Sequence, residues 1–177
     1  MITRLRIILF LIPFSLLAQW EPIYPPEGIQ INILFTEDND LYVATVLAKV
    51  YLSDNNGDSW EEIGENLDLP PYGADMLYKM DDYLFFSQNN GEGDSNFRSY
   101  YDGNSWNAWE TLSYQSSAIT QIASNSTHVF AVLSDGVNYS TDYGDTWTLM
   151  NQPPIEGYLT IHYASDSYLY VSYGCSL

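Results

Sequence analysis

The residues that could carry chemistry in this chain are chiefly carboxylates. Twenty-three Asp and Glu side chains stand among 177 residues, against five Lys and Arg and two His. Glycoside hydrolysis requires at least two carboxylates at a set separation, one of them with a raised pKa. The acids that follow predicted first strands are typical of solvated turns, and they are Asp38, Asp40, Asp81 and Asp82. The sequence singles out no pair, so it predicts no catalytic residue.

The other groups that could act as a base or a metal ligand stand in isolation. His128 and His162 belong to no metal-ligand pair and to no nucleophile motif. Asp54, Asn56 and Asp58 alternate as in a calcium-binding loop, but Ser occupies the place of the obligatory Gly and the distal Glu is missing. The sequence contains no Gly-rich phosphate loop and no dinucleotide-binding motif. We therefore expect neither a cofactor nor a metal.

A Ser-to-Trp pattern occurs three times and organises the chain. The copies are called repeat segments 1, 2 and 3, and they are residues 53–60 (SDNNGDSW), 99–106 (SYYDGNSW) and 140–147 (STDYGDTW). Each has Ser seven positions before its Trp, Gly three before and a hydroxyl residue one before. The Trp residues are 46 and 41 positions apart, the length of a repeat that forms one four-stranded propeller blade. Each segment is predicted to form a turn in which Gly adopts a backbone angle that other residues avoid.

The sequence S-x-D-x-G-x-T-W of repeat segment 3 resembles the Asp box, or BNR repeat, of sialidases, sortilin-type receptors, photosystem assembly factors and several glycoside hydrolases. The resemblance implies that the segments lie in turns between the outer strands of a blade, away from the central axis where ligands bind. In repeat segment 2, Tyr101 occupies the position of the acid and Asp102 comes one place late. The resemblance assigns a structural role to Ser53, Asn55, Gly57, Ser59, Trp60, Ser99, Gly103, Ser105, Trp106, Ser140, Asp142, Gly144, Thr146 and Trp147.

The pattern along the rest of the chain predicts an all-β fold. Short runs of Ile, Leu, Val, Tyr and Phe alternate with Asn, Asp and Gly, and no stretch predicts a helix. With the repeat period, these runs predict a β-propeller of four-stranded antiparallel blades. The blades cover approximately residues 28–66, 74–114 and 117–152, with an incomplete fourth at 157–177. Single strands are predicted over residues 50–53 and 158–164, and fourth strands over 60–63, 106–112 and 146–150. A long connection over 89–96 is predicted before the third strand of the second blade.

About three and a half blades indicate a partial propeller, since closed rings generally have 4–8. The preferred interpretation is a fragment of a longer chain, and the alternative is completion by association. We expect faces carrying Ile31, Ile33, Leu169 and Val171 to be partly bare. Self-association through the incomplete fourth blade is therefore expected.

The first 18 residues are predicted to be a secretory signal peptide, because Arg4 and Arg6 precede an uncharged run over residues 7–18. The run is too short for a bilayer, which needs about 20 apolar residues, so no membrane insertion is expected. The predicted location is extracellular or periplasmic. Cys175 is the single cysteine, so the core and not disulfides must stabilise the fold.

The charge balance restricts the partners. After the leader, the three basic residues Lys49, Lys79 and Arg98 stand against 23 acids, which gives a net charge of −20. Such a surface repels phosphate backbones, so nucleic acid is not expected as a partner. A sialidase holds its substrate carboxylate with three arginines, and a single Arg after the leader does not provide them.

Two functions stay open from the sequence. The first is a secreted binding or scaffold module for a protein or a polysaccharide. The second is part of an extracellular glycoside hydrolase of the Asp-box type, with catalytic residues in blades outside this sequence. The missing arginine cluster and the lack of an assignable acid pair favour binding over catalysis. Asn125 and Asn138 begin glycosylation sequons, whose use depends on the host.

Overall fold

The computed structural model describes residues 30–64, 67, 69–89, 94–113, 118–151 and 157–174, and within these ranges it contains strands and no helix. The predicted leader, residues 1–18, lies outside the described residues. The strands are β1 Ile31–Glu37, β2 Asp40–Thr45, β3 Val50–Ser53, β4 Glu61–Glu62, β5 Met76–Met80, β6 Tyr83–Asn89, β7 Asp94–Tyr100, β8 Glu110–Thr111, β9 Ile122–Ser124, β10 Val129–Leu133, β11 Gly136–Ser140, β12 Thr148–Leu149, β13 Tyr158–Ala164 and β14 Leu169–Gly174. The prediction of an all-β fold is confirmed for this part of the chain.

Consecutive strands form four antiparallel units. Sheet 1 has the order β1-β2-β3-β4, sheet 2 the order β5-β6-β7-β8, and sheet 3 the order β9-β10-β11-β12, while β13 and β14 form a hairpin. Every pairing is antiparallel and joins strands that follow each other in the chain. Each sheet is therefore a local meander, and the four-stranded antiparallel units expected from the repeats are present.

The middle strand β6 is buried on both faces. Leu84, Phe85 and Phe86 are all 0 % exposed. Leu84 and Phe86 pack with residues of sheet 1, while Phe85 packs with residues of sheet 3. Because neighbouring residues in a strand point to opposite faces, sheet 2 is covered on both sides. This double coverage explains why residues 84–86 of β6 are consecutively apolar instead of alternating.

Three apolar clusters fill the spaces between successive units. Cluster 1 joins sheets 1 and 2, cluster 2 joins sheets 2 and 3, and cluster 3 joins sheet 3 to the hairpin. Burial of each large apolar side chain stabilises the fold by about 1.5–3 kcal/mol. Members from the two sides of each interface are Tyr42 and Phe86 in cluster 1, Phe85 and Val129 in cluster 2, and Phe130 and Ala164 in cluster 3.

The first strands of successive units lie side by side. Lys79 Nζ in β5 is 2.9 Å from Glu37 Oε2 in β1. The hydroxyl of Tyr78 in β5 is 3.0 Å from Ser124 Oγ in β9. β9 in turn contacts β13. The units are thus stacked face to face with equivalent strands adjacent, an arrangement compatible with blades.

Two details differ from the sequence-based expectations. The fourth strands have only two residues each, although longer ones were predicted. β7 begins at Asp94, inside the connection predicted over residues 89–96, because it pairs with β6 along its full length.

The four apolar residues expected to be partly bare, Ile31, Ile33, Leu169 and Val171, are half-buried. Ile33 packs against cluster 1 and Leu169 against cluster 3, so both point into the stack. The outward face of the hairpin instead carries tyrosines, among them Tyr163 and Tyr170, which are 60 % and 56 % exposed. Alternation along β14 places Tyr170 opposite to the face of Leu169.

Candidate functional site

Repeat segment 3 connects β11 to β12 through a turn organised by two side chains. Ser140 Oγ donates to Asp142 Oδ1 at 2.7 Å and accepts from Gly144 N at 2.8 Å. Asp142 accepts from Thr146 N at 2.9 Å and from the Thr146 hydroxyl at 2.6 Å. The hydroxyl and the carboxylate therefore satisfy the backbone amides that the turn leaves without partners.

Repeat segment 1, between β3 and β4, has the same geometry with Asn in place of Asp. Ser53 Oγ accepts from Gly57 N at 2.8 Å and donates to Asn55 Oδ1 at 3.0 Å. Asn55 accepts from Ser59 N at 2.9 Å and donates to Ser59 Oγ at 2.7 Å. The amide thus makes the same contacts as the carboxylate, with the direction of one hydrogen bond reversed.

Both turns pass through two consecutive left-handed residues. The φ angles are 52° and 93° at Tyr143 and Gly144, and 59° and 90° at Asn56 and Gly57. Glycine adopts such angles without the steric cost that Cβ imposes. At Gly144 space is also limited, since a Cβ would lie 3.1 Å from Leu112 Cδ2. The pattern requires Gly there for both reasons.

Repeat segment 2, between β7 and β8, is built differently. Ser99 Oγ donates to Asn107 O at 2.7 Å. Asp102 Oδ1 accepts from the backbone N–H groups of Asn104 and Ser105, each at 2.9 Å. The acid that comes one place late therefore takes over the turn, and Gly103 keeps a φ of 91°.

The carboxylates in these turns have lowered pKa values. Partial burial of Asp142 opposes ionisation, but hydrogen bonds from Thr146 and Ser140 outweigh it and hold the pKa below its ordinary value. The amides of Ser105 and Asn104 lower the pKa of Asp102 in the same way. Both groups are stabilised as anions, which suits turn acceptors and not general acids.

The tryptophans of the pattern are half-buried. Trp106 packs against cluster 1 and meets Tyr42 edge to face at 6.4 Å between ring centroids. Trp147 packs against cluster 2, and Trp60 is half-buried beside sheet 1. Among the described residues the most buried tryptophan is Trp109, outside the pattern, whose Nε1 donates to Ile63 O at 3.2 Å.

Arg98 joins sheet 2 to repeat segment 3, a role that sequence reasoning missed. Its Nη1 donates to Tyr143 O at 2.9 Å, and its Nη2 lies 2.7 Å from Asp145 Oδ1 and 3.3 Å from Glu110 Oε2. The guanidinium also lies 5.5 Å from the ring centroid of Tyr83. Its one sequence signal is that it is the single Arg after the leader.

The turn acids are placed at the same end of the sheets as the repeat segments. Asp38 and Asp81 follow β1 and β5 and adopt left-handed φ angles of 53° and 51°. Asp81 Oδ2 accepts a hydrogen bond from the hydroxyl of Tyr143 at 3.1 Å, and this bond is the main cause that raises the pKa of Tyr143. These acids shape turns and contacts between sheets.

An open groove of about 1040 Å³ separates sheet 3 from the hairpin at the opposite end. It includes the β10–β11 turn, and repeat segment 3 lies at the other end of β11, so the two are separated by the length of that strand. The lining residues combine apolar side chains with hydroxyl, amide, carboxylate and aromatic groups. They are Thr120, Gln121, Val132, Leu133, Ser134, Asp135, Gly136, Leu149, Met150, Asn151, Gly157, Tyr158, Leu159 and Thr160.

Side-chain amides form hydrogen bonds that fix groups around the groove. Gln121 Oε1 accepts from Ile161 N at 2.8 Å, which ties sheet 3 to β13. Asn138 Nδ2 donates to Asp135 Oδ1 at 2.7 Å and orients this carboxylate. Tyr158 stands at the rim with 79 % of its surface exposed. The groove therefore offers oriented hydrogen-bonding groups beside an accessible aromatic ring.

The histidines do not form a catalytic constellation. His162 Nε2 lies 2.7 Å from Ser172 Oγ, and His128 Nδ1 lies 2.7 Å from Thr127 Oγ1. A hydroxyl beside an imidazole is one element of a nucleophilic site, but His162 and Ser172 lie on the exposed hairpin face, outside the groove. Within the ranges that the structure describes, no three His, Cys, Asp or Glu side chains are grouped to hold a metal.

The two sequons have different surroundings. Asn138 is buried at 3 % exposure, so its amide is inaccessible for glycosylation in the folded chain. Asn125 is half-buried and its Nδ2 donates to Ser165 O at 3.1 Å. Its side chain links sheet 3 to the hairpin turn.

Comparison with known proteins adds no relative to these observations. No protein-family model matches the chain, and no curated protein matches its sequence significantly. Among the described residues, no helix has the length and apolar character needed to cross a bilayer.

Proposed function

We propose that this chain is a secreted binding or scaffold module of the Asp-box propeller type, which takes a polysaccharide or a protein in the groove between sheet 3 and the hairpin. The groove itself carries the proposal. It combines about 1040 Å³ of open volume with oriented polar groups and an exposed ring at Tyr158, the composition that ligand sites use for orientation and contact.

The propeller assignment is supported by repetition. Three meanders of four strands stack face to face, and each places a repeat segment between its third and fourth strands. Repeat segments 1 and 3 share their hydrogen bonds and their left-handed angles. A feature repeated in three sheets at one end serves the architecture, which leaves the opposite end for recognition.

A neutral polysaccharide is the ligand class that best fits the lining. Sugar hydroxyls pair with side-chain hydroxyls, amides and carboxylates, and sugar rings stack on exposed aromatic faces such as Tyr158. The formal net charge of −18 repels anionic polymers. A protein ligand would meet the same polar groups together with apolar lining residues such as Val132, Leu149 and Leu159.

A hydrolase is not favoured by this groove. Among its described lining residues Asp135 is the single carboxylate, whereas glycoside hydrolysis by the usual routes needs two. Asp142, the acid of the best-formed repeat segment, is held in its turn by Ser140 and Thr146 at the other end of β11. The second functional possibility, part of a glycoside hydrolase, thus gains no support here.

Affinity electrophoresis tests the proposal. The chain should be retarded in gels containing soluble β-glucan, xylan or galactomannan and should run freely in polygalacturonate, because its own charge excludes an acidic polymer. Retardation by polygalacturonate alone would contradict a neutral ligand, and retardation by no polysaccharide would contradict a polysaccharide ligand. Release of reducing sugar from a retarding polymer would favour the hydrolase instead.

A further inference from the structure

Strand β14 has one edge without a partner among the described residues. It pairs with β13 on one side, whereas the second strands of sheets 1, 2 and 3 pair on both sides. An edge of this kind presents a row of unpaired N–H and C=O groups. Exposed edges are commonly protected by Lys, Pro or a bulge. The sequence of β14, LYVSYG, contains neither charge nor Pro, and the register shift of the hairpin lies in β13.

The outward face of the hairpin is the counterpart of a face that is covered in the other units. Val129 pairs with Ser124 directly after a four-residue turn, and Leu169 pairs with Ala164 after an equivalent turn. The next residues, Phe130 and Tyr170, are therefore equivalent. Phe130 is 8 % exposed beneath the hairpin, and Tyr170 is 56 % exposed. The hairpin thus covers this position in β10 of sheet 3, whereas the equivalent position in β14 is exposed.

The hairpin is nearly uncharged within a strongly acidic chain. Residues 157–174 contain one charged side chain, Asp166, whereas the whole chain has a formal net charge of −18. Asp166 lies in the turn and accepts from Ser126 N at 3.0 Å and from the Ser126 hydroxyl at 2.6 Å. Two copies can thus approach through β14 with less repulsion than through a surface of average charge.

We propose that β14 pairs antiparallel with β14 of a second copy around a two-fold axis, completing a four-stranded sheet of order β13-β14-β14-β13. Every other pairing in the chain is antiparallel, and a two-fold contact closes upon itself. Centring the axis on Val171 keeps paired residues on the same face of the sheet and pairs residues 169–173 of the two copies. This register places Tyr170 opposite Ser172 of the partner subunit, in range for cross-strand contact.

Sedimentation velocity on the purified chain over a concentration series tests this pairing. We expect a monomer–dimer equilibrium that is tighter at about 0.5 M salt than at about 0.05 M, because salt screens the acidic surfaces. The variant Tyr170→Lys/Ser172→Lys brings like charges together across the axis and should weaken the dimer at least about tenfold. Tyr72→Lys, at a tyrosine that is 67 % exposed outside the hairpin, should leave it unchanged.

A charge-complementary variant tests the register itself. In Tyr170→Lys/Ser172→Glu the introduced ammonium faces the introduced carboxylate of the partner, so dimerisation should recover toward that of the wild type. Thermal unfolding of each variant verifies that it folds. A chain that stays monomeric at every salt concentration would overturn the proposal, as would a dimer unaffected by Tyr170→Lys/Ser172→Lys. Equal loss in both double variants would overturn the antiparallel register.

Discussion

Ser140 Oγ accepts a hydrogen bond from Gly144 N at 2.8 Å, and the equivalent pair in sheet 1, Ser53 and Gly57, has the same distance. In both turns the hydroxyl sits at the end of a third strand and the glycine is left-handed. One buried hydroxyl therefore sets the path of the chain into the fourth strand. The recurrence of this relationship is the physical basis for a structural role of the repeat segments.

Substitution of the hydroxyl tests that role. Ser140→Ala leaves the amides of Gly144 and Asp142 without their acceptor at a site that is 2 % exposed. We expect the free energy of unfolding to fall by about 1–3 kcal/mol, measured by urea denaturation. Thr141→Ala, at the neighbouring exposed position, is the control. It should change the free energy of unfolding by less than about 0.5 kcal/mol. Equal midpoints for the two variants would argue against a structural hydroxyl.

The glycines allow backbone strain and crowding to be separated. Gly144→Ala meets both a φ of +93° and Leu112 at 3.1 Å, whereas Gly103→Ala meets a φ of +91° with no atom within 4 Å. We expect a cost of about 1 kcal/mol at Gly103 from the backbone alone. The cost at Gly144 should be larger in the same denaturation experiment. A smaller loss for Gly144→Ala would show that the turn relaxes freely around the added methyl group.

Arg98 should be irreplaceable by Lys. Its guanidinium contacts Tyr143 O, Asp145 and Glu110 together. The ammonium group of Lys cannot reproduce this planar arrangement of donors. Arg98→Lys should lower the free energy of unfolding by about 1–3 kcal/mol. The matched control is Lys49→Ala, which removes an exposed ion pair with Glu62 and should cost at most about 1 kcal/mol. If Arg98→Lys is no worse than the control, the guanidinium does not join the sheets.

The lowered pKa of Asp142 predicts an acid-sensitive contribution to stability. Because the pKa is lower in the folded chain than in the unfolded one, this contribution is complete above the unfolded value of about 3.9 and is lost as the pH falls through the folded pKa. Asp142→Asn keeps the acceptor oxygen, as Asn55 shows in repeat segment 1. The stability difference between wild type and variant should therefore shrink between pH 6 and pH 3.

The converse change in repeat segment 1 provides the check. Asn55→Asp introduces a carboxylate into the same hydrogen-bonding geometry. It should increase stability at pH 6 and make that increase disappear as the pH falls below about 4. Chemical denaturation at both pH values measures the effect. A pH-independent difference for both variants would show that the turn does not favour the ionised form.

The bounds of strands were predicted correctly where the local residue types determine them. Val50–Ser53 and Tyr158–Ala164 have the predicted bounds, since turn residues follow the first run and stand on both sides of the second. The fourth strands were predicted to be longer because each starts near a Trp, yet Trp106 packs by its ring while only two residues of β8 pair with β7.

The contacts between units could not be predicted in this way. Arg98 contacts Tyr143, 45 residues away, and Gln121 contacts Ile161, 40 residues away. Such pairs depend on how two sheets are placed in space, which strand periodicity does not specify. The groove has the same origin, because its walls come from β10, β11 and β13 and exist only once the hairpin stacks on sheet 3.

Calorimetric titration of soluble β-glucan, xylan and galactomannan into wild type, Tyr158→Ala and Tyr168→Ala tests the central claim most directly. Both tyrosines are well exposed, at 79 % and 67 %, but they lie at opposite ends of the hairpin. If the groove takes the ligand, Tyr158→Ala should weaken binding at least about tenfold and Tyr168→Ala should leave it unchanged. Loss of binding in Tyr168→Ala alone, or a wild type that binds none of the three, would contradict the account.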